Sequence, residues 1–251
     1  MSEKNRKAIR ISVRNLVEFV LRSGDIDNRR SGNAQKDAML AGGRIHRKIQ
    51  KRMGSGYRAE VPLKHEVQDE EQEITLLVEG RADGIFTENG IPVIDEIKGM
   101  YTDISRLEEP IEVHLAQAMC YGYFYCCDKD LDGIRLQMTY CNLETEEIKR
   151  FQTERSREEL ETWFSSVVHE YFKWARYLYH HELTRDASIG HLEFPFPYRA
   201  GQRDLVVAVY RTVSRKKRLF IQAPTGIGKT LSTVFPAVRA IGEGKGDKLF
   251  Y

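Results

Sequence analysis

The sequence predicts an α/β protein in two parts, a mixed sheet core flanked by helices and then the beginning of a P-loop α/β domain. Three observations predict it. Helical and strand periodicities follow one another as helix, three strands, helix, two strands and a long helix. Near residue 190 a short span rich in proline and aromatics, HLEFPFPYRAGQ, interrupts that pattern. Beyond it an apolar segment runs into a glycine-containing loop and a further helix. The expected domains are therefore 1–190 and 191–251.

In chain order, 12–22 carries apolar residues at helical spacing, and 34–53 does so with Met39, Leu40, Ile45 and Ile49 on one side. Segment 57–65 alternates loosely, 73–86 holds the apolar run ITLLV, and 91–98 (IPVIDEIK) is rich in β-branched residues. Asn89-Gly90 between the last two predicts a tight hairpin turn. A helix over 111–125, a hairpin from 134–140 and 146–153, and an amphipathic helix over 155–180 complete the first part. In the second part, 202–213 reads as a helix, 218–222 (RLFIQ) as a strand, and 229–241 as a helix containing Pro236.

Composition is that of a globular chain: 251 residues, 41% hydrophobic and 30% charged. The net charge of +2 is silent about partners, but its distribution is not. Basic residues cluster at Lys4, Arg6, Lys7, Arg10 and Arg14, again at Arg44, Arg47, Lys48, Lys51 and Arg52, and again at 215–218. Three such clusters point toward a polyanion. No apolar run is long enough to span a membrane, and Glu18 interrupts the only apolar stretch behind the basic start. All four cysteines, Cys120, Cys126, Cys127 and Cys141, fall in one short region instead of a spread disulfide framework. The expectations are a cytoplasmic protein, no membrane partner, and buried, inert thiols; the sequence leaves oligomeric state open.

The second part carries the clearer motif. In APTGIGKT, Gly226 and Gly228 permit the positive φ and close backbone approach that a phosphate cradle needs. Lys229 is placed to reach β/γ oxygens, and the Thr230 hydroxyl to bind Mg²⁺. FPYRAGQ followed by QAPTGIGKT resembles the start of the first motor domain of superfamily-two DNA helicases of the XPD/DinG type, over about 194–251. The resemblance implies ATP with Mg²⁺ as ligand, adenine recognition by Gln202, and triphosphate binding by Gly226, Gly228, Lys229 and Thr230. No acidic DEAH-like segment, arginine finger or second motor domain follows Lys229, so the remainder of the motor is expected C-terminal to Tyr251.

In the first part, Asp83 ends one strand, and Glu96-Ile97-Lys98 lies on the next, across the Asn89-Gly90 turn. Residues two apart on a strand share a face, so Glu96 and Lys98 point together while Asp95 faces away. Two carboxylates converging beside a lysine are costly in an apolar core, and a divalent ion relieves their repulsion. His46 follows a glycine pair in a basic helix, and Gln117 and Tyr121 share a helix face. As a set, these residues resemble the RecB-type branch of the PD-(D/E)XK nucleases, whose restriction-endonuclease-like fold suits the element order over about 10–180. Ala82 stands where proline often precedes the aspartate.

That resemblance implies Mg²⁺ or Mn²⁺ held by His46, Asp83, Glu96 and the Ile97 carbonyl, with Asp83, Glu96 and Lys98 catalytic. It implies DNA as partner, with Gln117 and Tyr121 along its channel; Arg44, Arg47 and Lys48 are the basic residues expected beside it. Some relatives hold an iron–sulfur cluster on four cysteines, but the spacing here differs and none is expected. The function expected is a metal-dependent DNA nuclease fused to an ATP-dependent DNA helicase. The alternative is a nuclease-like module that binds and steers DNA without cutting it.

Overall fold

A computed structural model describes residues 7–22, 32–71 and 73–251, without the side chains of 32–39. Lys4 and Arg6 of the first basic cluster, and the Met39 side chain, lie outside the described residues. The chain divides into two compact units, Met1–Ala175 and Arg176–Tyr251.

The first unit is α/β, with a mixed sheet flanked by helices. Its strands are β1 (Lys7–Ser12), β2 (Arg58–Gln68), β3 (Ile74–Glu88), β4 (Ile91–Met100), β5 (Gly133–Asn142) and β6 (Ile148–Ser156). Its helices are α1 (Val13–Val20), α2 (Gly32–Arg52), α3 (Glu112–Lys129) and the first part of α4 (Arg157–Gly190). Strands follow the order β1-β3-β4-β5-β6, with β2 on β3. Pairing is parallel for β1–β3 and β4–β5, and antiparallel for β2–β3, β3–β4 and β5–β6.

Local chemistry sets the joints. Ser12 ends β1 and caps α1, its hydroxyl accepting the Asn15 N–H at 3.1 Å. Val13, Leu16 and Val17 recur at helical spacing and are fully buried. Asn89 and Gly90, at φ 52° and 81°, make the turn from β3 to β4. On the way from β5 to β6, the Asn142 side-chain oxygen accepts the Glu144 and Thr145 amides at 2.8 and 3.0 Å. The sheet is covered on one side by α2, where Ile45 and Ile49 bury Ile97 and Cys141. α3 packs on β4 and β5, and its Gly122 lets Leu136 and Leu160 approach where a Cβ would collide with Leu136.

β3 is the organising strand. β2 runs along one of its edges. Its other partners divide its length: β1 pairs with 74–79 and β4 with 84–88. A fork therefore opens between β1 and β4 beside residues 80–83.

Two expectations are corrected. Residues 7–12 (KAIRIS) form a strand ahead of the first helix, where periodicity predicts none. Its burial alternates only partly, and it is held by pairing with a segment more than sixty positions away, which local periodicity does not reveal. Conversely, 218–222 is unpaired coil, with Phe220 95% exposed. A strand exists by sharing hydrogen bonds, and among the described residues of the second unit none is a strand. That unit holds the end of α4, α5 (Gln202–Ser214) and α6 (Lys229–Gly242); where the sequence predicts a strand, loop and helix, the structure has coil running into α6.

Candidate active site at the fork of the sheet

Alternation along β4 sends Asp95 and Ile97 to one side and Glu96 and Lys98 to the other. Ile97 joins Ile45 and Ile49 of α2, whereas Lys98 meets α3: its ammonium donates to Glu96 Oε1 at 2.8 Å and to Gln117 Oε1 at 2.7 Å. Glu96 is 4% exposed, and its Oε2 has no hydrogen-bond partner among the described residues. Burial raises its pKa to about 7; Lys98 opposes that rise and Asp83 adds to it.

Asp83 lies at the mouth of the fork. Its Oδ2 accepts the Ile97 N–H at 2.7 Å, and its Oδ1 lies 3.2 Å from His46 Nδ1. Burial would lower the His46 pKa, but the Asp83 hydrogen bond and the charges of Asp83 and Glu96 together raise it. The structure thus brings His46, Asp83, Ile97, Glu96, Lys98 and Gln117 together through one chain of contacts. Among the described residues, however, no three His, Cys, Asp or Glu side chains converge closely enough to form a ready-made metal cage.

The remaining sequence-predicted residues divide by exposure. Gln117 and Tyr121, expected along a DNA channel, are 4% and 6% exposed. Gln117 faces Lys98, and the Tyr121 ring covers Gly80, where a Cβ would lie 2.5 Å from the hydroxyl. Arg44 and Arg47 on α2 are exposed, and Lys48 is paired with Glu146. His114 is partly buried against Tyr140 (3.4 Å), with its pKa lowered to about 4 by burial and by the Lys98 and Arg14 charges. Cys120, Cys126 and Cys141 are buried, Cys127 is partly so, and all four are free thiols.

Sequence reasoning missed the partners of Asp95. This fully buried carboxylate accepts the Tyr57 hydroxyl at 2.9 Å and the Thr139 hydroxyl at 2.6 Å. Burial nevertheless raises its pKa. Tyr57 lies across Gly84, leaving no room for a Cβ there. Gln50 was missed too, although it follows His46 at i+4: its amide donates to the Asp83 carbonyl at 2.9 Å.

In the second unit, Gly226 and Gly228 adopt φ 83° and 81°, and Gly228 caps α6. Gln202 is 4% exposed, its Oε1 accepting the Arg199 N–H at 3.0 Å, and a Cβ at Gly228 would lie 2.6 Å from Gln202 Nε2. Lys229 donates to the Ala223 and Pro224 carbonyls at 3.0 and 2.9 Å. Thr230 Oγ1 lies 2.7 Å from the Tyr251 hydroxyl. Arg199, three residues before Gln202, donates to the Gly226 carbonyl and was not anticipated. Glycines 226 and 228, Gln202 and Lys229 thus gather around one loop.

No family model matches the chain. A stretch of 52 residues is 36% identical to the protein named Probable ATP-dependent helicase of Methanocaldococcus jannaschii, spanning 20% of this chain and 8% of that protein's length. Among solved structures, the chain is similar to the protein SSO0001, with 17% identity, a TM-score of 0.42, and coverage of 67% of this chain and 77% of the other. It is also similar to an alkaline exonuclease from Laribacter hongkongensis, with 13% identity, a TM-score of 0.39, and coverage of 70% and 94%. Among the described residues no helix is long and apolar enough to cross a membrane.

Proposed function

We propose that the first unit is a metal-dependent DNA nuclease of the PD-(D/E)XK type. One observation carries the reading: a buried carboxylate, Glu96, has one oxygen held by a lysine and the other without a partner among the described residues, beside a second carboxylate already paired with a histidine. A protein core built for stability alone would not leave a buried carboxylate oxygen unsatisfied. The donor set of imidazole, two carboxylates and a backbone carbonyl suits Mn²⁺ or Mg²⁺. His46, Asp83, Glu96 and the Ile97 carbonyl would hold the ion. When bound, it supplies Lewis-acid polarisation of a phosphate oxygen and acidifies water at neutral pH.

The chain's own groups do the rest. The Ile97 N–H and His46 fix the Asp83 carboxylate in one orientation. Gln117 holds the Lys98 ammonium, an arrangement that keeps the cation at the site when Glu96 is drawn toward an ion. A lysine so placed neutralises charge building on the scissile phosphate or orients the attacking water. Exposed Arg44 and Arg47 would position the backbone of the nucleic acid. Purified protein should cleave single- or double-stranded DNA in Mn²⁺ and not in EDTA. Asp83→Asn should lower the rate at least about 100-fold. Cleavage that persists in EDTA would overturn the reading.

In the second unit we propose a nucleotide-binding loop belonging to a helicase motor of the XPD/DinG type. Gln202 would read adenine, Gly226 and Gly228 would admit the phosphates, and Lys229 and Thr230 would bind them with Mg²⁺. The buried Gln202 against Gly228 supports it, since that approach requires glycine.

A second reading, a DNA-steering module without cleavage, is favoured by the absence of a ready-made three-ligand cluster among the described residues. Salt-sensitive DNA binding without Mn²⁺-dependent cleavage would select it.

A further inference from the structure

β2 and β3 pair in a single register, Ala59 with Gly84 and Val61 with Ala82, yet the pair between them, Glu60 with Asp83, is absent from the ladder. Glu60 has φ 53°, in the left-handed region that a non-glycine residue enters only at an energetic cost. The interruption therefore falls on the one β3 residue whose carboxylate meets both His46 and the Ile97 amide. The Asp83 carbonyl is not left empty. It accepts the Gln50 side-chain amide at 2.9 Å, and the same Gln50 nitrogen lies 3.2 Å from Glu60 Oε1.

Gln50 and His46 are i and i+4 neighbours on α2, so one helix face grips Asp83 at both ends, the imidazole at the carboxylate and the amide at the carbonyl. We propose that Gln50 is a positioning residue for the metal-binding carboxylate, and that the left-handed Glu60 exists to free the Asp83 carbonyl for it. The proposal rests on the metal-site reading above. A carboxylate must be held to within about half an ångström to bind an ion well. A helix is a stiffer support for that than a strand segment paired on one edge only. Interactions of this outer kind are typically worth about 10–100-fold in metal affinity.

The test uses two readouts on the full chain, one of them metal-free. Mn²⁺ binding is measured by calorimetry, and hydrogen exchange of the Ile97 amide is measured in EDTA. The variants are Gln50→Leu, which removes the donor; Glu60→Val, which disfavours the left-handed φ; and Glu60→Gly, which keeps it. Gln50→Leu and Glu60→Val should weaken Mn²⁺ binding about 10-fold or more, and should speed Ile97 exchange while other core amides stay protected. Glu60→Gly should retain both properties. Wild-type Mn²⁺ affinity and Ile97 protection in Gln50→Leu would overturn the proposal. So would uniform loss of protection across the core in Glu60→Val and Gln50→Leu, which marks a structural role alone. If the wild type binds no Mn²⁺ but Gln50→Leu still frees the Ile97 amide selectively, the positioning stands and the metal reading falls.

Discussion

Glu96 is buried with one carboxylate oxygen held by Lys98. Its carboxyl is raised by burial to about 7 in the folded chain, against about 4.5 when free. A raised carboxyl contributes stability that is fully present below the unfolded value and is lost as pH rises through the folded one. Metal-free protein should therefore lose stability between about pH 4.5 and 7 through this group. Glu96→Gln should remove that loss, gaining about 1–3 kcal/mol over wild type at pH 8 and little at pH 4. Denaturant unfolding in EDTA at the two pH values checks it; equal differences at both would contradict the assignment. The residue types of this site could be read from the chain because alternation on β4 is strict, placing Glu96 with Lys98 and Asp95 opposite. What sequence could not show is which side chains satisfy them. Gln117 accepts from Lys98, a contact set by how α3 crosses the sheet.

Among the elements, β4 shows how the site is held from behind. Tyr57, just after α2, reaches across Gly84 to the buried Asp95, which also takes the Thr139 hydroxyl from β5. Tyr57→Phe should leave that carboxylate one donor short and cost about 1–3 kcal/mol, measured by denaturant unfolding. A neutral result would mean that water replaces the hydroxyl freely. The hairpin at Asn89-Gly90 and the helices were readable because their signals are local. β1 and the unpaired 218–222 segment were not, for one reason in opposite directions: strand formation depends on a partner elsewhere in the chain. KAIRIS finds one in β3, and RLFIQ meets none among the described residues. The break in the β2–β3 ladder at Glu60 was equally hidden, since nothing about a glutamate announces a left-handed backbone.

For the molecule as a whole, a net charge of +2 conceals an exposed basic stretch on α2 beside the fork. If that stretch follows a nucleic-acid backbone, affinity should fall steeply with salt, by a slope of about 0.9 per phosphate contact on duplex DNA. Replacing Arg44 and Arg47 together with alanine should reduce that slope by about two, read from binding isotherms across a salt series. An unchanged slope would place the DNA elsewhere. The α/β class was readable from periodicity and composition. Lys98, held between Glu96 and Gln117, would serve phosphodiester cleavage in the proposed reaction. Single-turnover cleavage of DNA in Mn²⁺ by wild type and Lys98→Ala tests it most directly. A loss of at least about 100-fold with DNA binding retained is expected; equal rates in the two proteins would rule out a role for Lys98 in cleavage.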